Sequence, residues 1–341
     1  MANLNYTRRL ANLKARRFDE DLLKADLSGS FGKSLVPENL EYLVESMRPI
    51  DGKYNEVTLT AASNVQKHLE GGLNTSYGIT YRKQGSVMTN TNIRIYSDID
   101  LLTIINGYCF LAPALLPPES PYHGVPNSDI SVLRTQSTDI MTARYDEVDT
   151  SGSKSIEITN KNLRRKVDVV FAFWYNTKQY EDTKNEYYRG IYLFDFPKRQ
   201  KLLDYPFAHI HNVNRKSSQT NDGSCKAIRL LKTLRADANK KIDLTSFQLT
   251  TMVYAMENGD LHYTHRGELT IAKNVSRHLD KMLSDEVYRK GIKSPNGMEH
   301  PFKNDKCVPH LQLIKQDLDK LIFDCESEIR NIFIKKSFFN Y

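Results

Sequence analysis

The stretch Ile93-Arg94-Ile95-Tyr96-Ser97-Asp98-Ile99-Asp100-Leu101-Leu102 sets two carboxylates two residues apart in an apolar, β-prone run. On a strand, residues i and i+2 point to one face, so Asp98 and Asp100 are expected to look the same way. Two anions that close repel each other unless a cation sits between them, and a hard divalent ion such as Mg²⁺ prefers oxygen donors. Further on, Lys166-Val167-Asp168-Val169-Val170 opens a continuous apolar run, Val167 to Trp174, that reads as a second strand. An aspartate buried there is costly without a metal or a partner. Upstream, Gly85-Ser86 reads as a small turn whose backbone N–H groups can approach a phosphate closely. Alone, the aspartate pair reads as a turn or a solvated edge, and the Gly-Ser pair as an ordinary turn. Three apolar-flanked aspartates with that turn upstream point to metal-dependent nucleotidyl transfer.

In such a site Asp98, Asp100 and Asp168 would bind two Mg²⁺ ions, with Mn²⁺ as a substitute. Asp98 and Asp100 would bridge both ions. Asp168 would bind the ion beside an attacking ribose hydroxyl and help to deprotonate it. Ser86 would donate to the β- or γ-phosphate, with Gly85 allowing the close approach.

With 341 residues the chain is long enough for two lobes, each with its own core. Its composition, 40% hydrophobic and 26% charged, is ordinary for a soluble protein. No apolar run nears the roughly 20 residues that span a bilayer. Charges fall where a signal peptide would need its apolar core, so a cytoplasmic chain without membrane contact is expected. Cys109, Cys225, Cys307 and Cys325 lie far apart, which argues against a zinc ribbon or a disulfide framework and for small buried residues. The net charge of +7 favours polyanionic partners, nucleotides or nucleic acid. Most basic clusters, such as Arg164-Arg165-Lys166 and Lys240-Lys241, read as solvated surface. His209 and His211 could bind a metal, but no third ligand is evident, and they read as structural histidines.

Hydrophobic periodicity predicts helices over 8–30, 37–48 and 54–70, and a strand from Tyr77 to Lys83. A proline-rich loop follows Asp100, and residues 130–148 are ambiguous. Strands are expected at Ser155 to Ile158, Val167 to Trp174 and Tyr188 to Phe194. From Pro206 onward the pattern is helical. Ala227, Leu230, Leu231, Leu234 and Ala238 form one apolar stripe, and Leu311 to Ile332 another. This segregation predicts an α+β fold in which a catalytic core with a mixed sheet and flanking helices joins a C-terminal helical lobe, the active site lying in a cleft between them. The expected boundaries are 1–53 for N-terminal helices, 54–205 for the catalytic core and 206–341 for the helical domain.

On the Ala227 helix, Lys232 and Arg229 lie opposite the apolar stripe, so Lys232 could reach a triphosphate. Ser246 could cap the next helix and bind a phosphate there, and Phe247 could stack on a base. Against these stand a surface lysine, a plain N-cap and a core phenylalanine.

Gly85-Ser86, Asp98-Ile99-Asp100 and Asp168 together resemble the signature of the polymerase-β-like nucleotidyltransferases. Asp204-Tyr205-Pro206 through Thr220, Lys226, Arg229 and Lys232, then Ser246-Phe247, resembles the bacterial cGAS/DncV-like nucleotidyltransferases (CD-NTases), relatives of animal cyclic GMP-AMP synthase. The likeness covers roughly residues 50–260. It implies that Lys232 and Ser246 contact the triphosphate and that Phe247 takes a base-stacking place often held by tyrosine. It also implies NTP substrates, ATP among them, a cyclic di- or trinucleotide product, antiphage signalling (CBASS) and a downstream effector. A regulatory protein or nucleic-acid activator would fit this setting. The chain lacks the Cys/His zinc insertion of the animal enzyme, which speaks against direct sensing of double-stranded DNA. The rival readings are a linear oligonucleotide synthase, a toxin that modifies tRNA or protein, and a non-catalytic nucleotide- or nucleic-acid-binding module.

Overall fold

A computed structural model of the chain describes residues 4–18, 36–112 and 124–338. These form two compact units. One comprises 51–90 and 96–212; the other comprises the described residues of 1–50, 91–95 and 213–341. The N-terminal helices thus fall in the same unit as the C-terminal ones, and residues 206–212 fall with the sheet. The predicted residues 19–30 of the first helix and most of the proline-rich loop lie outside the described residues.

The first unit is built on a seven-stranded mixed sheet. Strand β1 (Ile79–Gln84) pairs antiparallel with β2 (Ile99–Leu111), and β2 runs parallel to β5 (Arg165–Asn176). The N-terminal half of β5 pairs with β4 (Ser155–Asn160), which pairs with β3 (Glu147–Asp149). Its C-terminal half pairs with β6 (Gly190–Asp195), and β6 pairs with β7 (Gln200–Asp204). The alternation on β2 and β5 sorts the side chains. Ile99, Leu101, Ile105, Val167, Val169, Phe171 and Phe173 are fully buried in one core cluster. That cluster includes Ala61, Val65 and Leu69 of a helix over Gly52–Gly72 and Ile130, Leu133 and Met141 of a helix over Pro126–Thr142. Each such side chain contributes roughly 1.5–3 kcal/mol. The intervening residues Asp100, Leu102, Ile104, Asp168 and Ala172 take the other face. There Leu102, Ile104, Ala172, Trp174 and Ile191 make a smaller cluster with Phe207. The aspartates therefore point away from the face that carries the two long helices.

The Gly52–Gly72 helix starts where the Asp51 carboxylate accepts from the Lys53 N–H. The ambiguous stretch resolves into the Pro126–Thr142 helix, with its first-turn proline, and the short β3.

The second unit is helical. Helix α1 (Tyr6–Arg17), α2 (Glu38–Met47), α3 (Gly223–Asp237) and α4 (Ser246–Tyr254) share one core with α5 (Glu268–Ser284) and α6 (Val308–Phe338). On α6, Leu311, Ile314, Leu318, Leu321 and Cys325 are fully buried, as their spacing predicts. Cys225 and Cys307 are also buried. Burial pushes the Cys325 thiol up to about 12, which makes it inert. At the start of α3, a Cβ on Gly223 would fall 1.7 Å from the Leu261 carbonyl oxygen, so only glycine fits.

Candidate active site

Parallel pairing of β2 with β5 sets Asp100 directly beside Asp168. Across the other ladders Gln84 aligns with Asp100, and Glu157 with Asp168. The row Gln84, Asp100, Asp168, Glu157 thus crosses four strands. Asp98 lies just before β2 and is exposed. Gly85 follows β1 with φ +118°, and a Cβ there would sit 3.5 Å from the Asp98 carbonyl oxygen and 3.8 Å from Ile99 Cα. This places the Gly85-Ser86 turn against the strand entry that carries Asp98 and Asp100. The turn is closed by the Met88 N–H donating to the Gly85 carbonyl (3.1 Å) and by the Thr89 hydroxyl donating to the Ser86 carbonyl (3.3 Å).

The electrostatics follow from the crowding. Burial, then Asp168, Asp98 and Asp204, push the Asp100 carboxyl up to about 7. Burial, then Glu157 and Asp98, push Asp168 up to about 6, with Lys166 and the Ser155 hydroxyl acting the other way. Lys166 pairs with Glu157 at 2.5 Å and partly offsets that outer carboxylate. Two carboxylates raised this far by burial and like charge suit a divalent cation, and every donor is a hard oxygen. Among the described residues no three His, Cys, Asp or Glu side chains form a ready-made metal cage. The fit therefore rests on donor chemistry and charge.

Two further acidic groups join the expected three. Glu157 sits in an alternating strand that is legible in the sequence, and its partner β5 carries it to the row. Asp204, at the end of β7, accepts from the Tyr205 N–H (2.7 Å) and adds to the field on Asp100. Its signal was its place just before Pro206.

The other predicted residues belong to the helical unit. Helix α3 is buried almost all round, so Lys232 and Arg229 lie off the apolar stripe yet are not surface groups. Arg229 is fully buried and donates to the Met47 carbonyl (2.7 Å) and to Asp222 (2.5 Å). Lys232, 4% exposed, donates to the Thr91 carbonyl (3.0 Å) and hydroxyl (3.2 Å). Burial, then Arg235, push its ammonium down to about 7. Ser246 is not the cap of α4. Thr245 is, in a capping box with Gln248, because Gln248 stands three residues beyond Thr245 whereas Leu249 stands three beyond Ser246. Ser246 occupies the first helical position, where its hydroxyl accepts from Arg235 (3.1 Å). Phe247, next along, is half-buried. His211 packs edge-on against Tyr187.

The sheet, the aspartate row and the turn define a nucleotidyltransferase of the polymerase-β-like kind. Sequence comparison narrows this. Residues 211–322 match the cGAS/DncV-like nucleotidyltransferase C-terminal helical domain. A c-di-GMP synthase of Lachnospiraceae bacterium (strain RUG226) is 33% identical over 352 positions, which cover 94% of this chain and 99% of the relative. The cyclic dinucleotide synthase CdnE of Yersinia aleksiciae is 30% identical, over 81% of this chain and 73% of that protein. The structure of the STING-associated CdnE c-di-GMP synthase from Capnocytophaga granulosa superposes with a TM-score of 0.79 at 28% identity, over 95% of this chain and all of that one. The chain belongs to the bacterial cGAS/DncV-like nucleotidyltransferase family and is a nucleotidyltransferase. No helix among the described residues is long and apolar enough to cross a membrane.

Proposed function

We propose that this enzyme joins two NTPs into a cyclic dinucleotide second messenger that serves antiphage signalling through a downstream effector. The observation that carries the reading is the pairing of Asp100 with Asp168 beside the Gly85-Ser86 turn. The names of the similar proteins, cyclic dinucleotide synthases and c-di-GMP synthases, support the product class and make c-di-GMP the first product to look for. The STING association of the Capnocytophaga relative supports an effector that reads the product.

In this reading Asp98, Asp100 and Asp168 would hold two Mg²⁺ ions, which would supply activation of the attacking hydroxyl and charge neutralisation for the departing pyrophosphate. The protein's own groups do the rest. Asp168, set beside Asp100 by the strand register, is placed to take up the ribose hydroxyl proton. Gly85 lets the chain pass close to the phosphates, and Ser86 donates its N–H and hydroxyl to them. Lys232, which donates to Thr91, would also contact the triphosphate, whose negative charge favours the ammonium form. Ser246 adds a hydroxyl and Phe247 a stacking face for the base. Arg229 supports the cationic field around Lys232.

The test is mass spectrometry of the products formed from all four NTPs with Mg²⁺, before and after phosphatase. A cyclic dinucleotide resists phosphatase, since it has no terminal phosphate. Products that lose phosphate would replace this reading with a linear synthase.

A further inference from the structure

The chain between the Ser86 turn and Asp98 makes an excursion. Thr91–Ile95 groups with the helical unit, whereas Asn90 before it and Tyr96 after it belong to the sheet unit. Thr91, Asn92 and Ile95 are buried. Both ends of this strap are tied down. Lys232 of α3 holds the Thr91 carbonyl and hydroxyl. At the other end the Ile95 N–H donates to the Arg16 carbonyl (2.9 Å). Arg16 is the second-last residue of α1, where helix carbonyls lack an intrahelical partner, so the strap takes up an acceptor that the helix leaves over.

That carbonyl is itself held in place. The Arg16 guanidinium makes two bonds to Asp237, at 2.6 and 2.8 Å. The Asp237 side chain is fully buried and also accepts from the Tyr42 hydroxyl (2.9 Å). Asp237 is the last residue of α3, the helix that carries Lys232. One helix thus fixes both ends of the strap, directly through Lys232 and by way of Asp237 and Arg16.

We propose that Thr91–Ile95 is a positioning strap for the transfer reaction, and that Arg16 and Asp237 are positioning residues that act through Ile95 on Asp98. The chain has only two residues between Ile95 and Asp98, so the place of one limits the place of the other. The inference rests on the metal-holding role of Asp98 proposed above. Misplacing a reacting group by ~1 Å costs on the order of 100-fold in rate. A loosened strap should therefore lower kcat far more than it raises KM.

The experiment compares wild type with Arg16→Met/Asp237→Asn, which removes both charges together and leaves Tyr42 an acceptor, and with Arg16→Lys, which keeps the charge pair. The readouts are melting temperature, amide hydrogen exchange over residues 91–95, and kcat and KM for the NTPs that the wild type consumes. In the double variant, exchange over 91–95 should quicken and kcat should fall by roughly 10- to 100-fold, with KM held within about threefold. Arg16→Lys should recover most of the rate. Tyr42→Phe, which deletes one bond to Asp237, should move the same readouts by less, and it carries the test should the double variant fail to fold. Unchanged exchange, or faster exchange with undiminished kcat, would overturn the proposal. Asp98→Asn tests the underlying reading separately: turnover should vanish while exchange over 91–95 stays as in wild type. Persistent turnover in that variant sinks the metal role of Asp98 whatever the strap does.

Discussion

Asp100 and Asp168 stand side by side on parallel strands, and each is held above the usual carboxylate range chiefly by burial. An arrangement that costs the folded protein stability when it is empty is suited to a bound cation. Asp168→Asn should abolish bond formation while NTP affinity stays within about threefold of wild type, because Asp98 and Asp100 would still hold the donor's proposed ion. Without metal, the same variant should be more stable at pH 8 by roughly 1–3 kcal/mol, since one buried charge is gone. Urea titrations with and without Mg²⁺, beside a turnover assay, check both halves. Undiminished synthesis would remove Asp168 from the mechanism.

Lys232 makes a prediction about pH. Its folded value of about 7 lies below the ordinary lysine value of 10.5, so between these limits the unfolded chain carries a proton that the folded chain does not. Stability from this group must therefore rise as pH climbs from 7 toward 10.5, and the burial penalty is largest below 7. Lys232→Met carries no such proton. Each tenfold change in proton affinity on folding is worth about 1.4 kcal/mol, so the stability of this variant relative to wild type should fall by a few kcal/mol between pH 6 and pH 9.5. Parallel stability curves for the two proteins would refute the assignment.

Gly85 is the tightest test of the turn. Its φ of +118° is strained for any L side chain, and its α-carbon faces the Asp98 carbonyl. Gly85→Ala should cost on the order of 1–3 kcal/mol or force the turn to shift. In either case kcat should drop by more than the loss of folded protein explains, as read from turnover at a temperature where the variant is fully folded.

At the start of α4, neighbouring hydroxyls have separable jobs. Thr245→Ala removes the cap and should cost ~1 kcal/mol of stability. Ser246→Ala should leave stability within about 0.5 kcal/mol and raise KM for NTP instead. Thermal melts and KM values on the two variants decide between these roles, and an unchanged KM for Ser246→Ala would end its place as a phosphate contact.

The fold class was legible because its signals are local. The continuous apolar run Val167 to Trp174 reports a buried strand, and the stripe Leu311 to Cys325 reports a buried helix face through a fixed period. The three aspartates were legible for the same reason, as charges in runs that should be apolar. What stayed hidden depends on partners distant in sequence. Glu157 joins the row only through the register of β4 with β5, and Asp204 acts on Asp100 only once β7 is in place. On α3 the periodicity correctly set Lys232 off the apolar stripe, but it could not show that Thr91 would cover that side. The cap of α4 was misplaced by one residue because two hydroxyls adjoin, and the glutamine that chooses between them carries weight only in the helical geometry.

The parallel pairing of β2 with β5 also sets an order of events during synthesis. Parallel neighbours need a crossover, and here a helix and two strands intervene before β5 arrives. A nascent chain still short of β5 carries Asp98 and Asp100 but lacks Asp168, the third carboxylate proposed to hold the cations. On the roles proposed above, transfer chemistry would therefore wait until Asp168 docks beside Asp100.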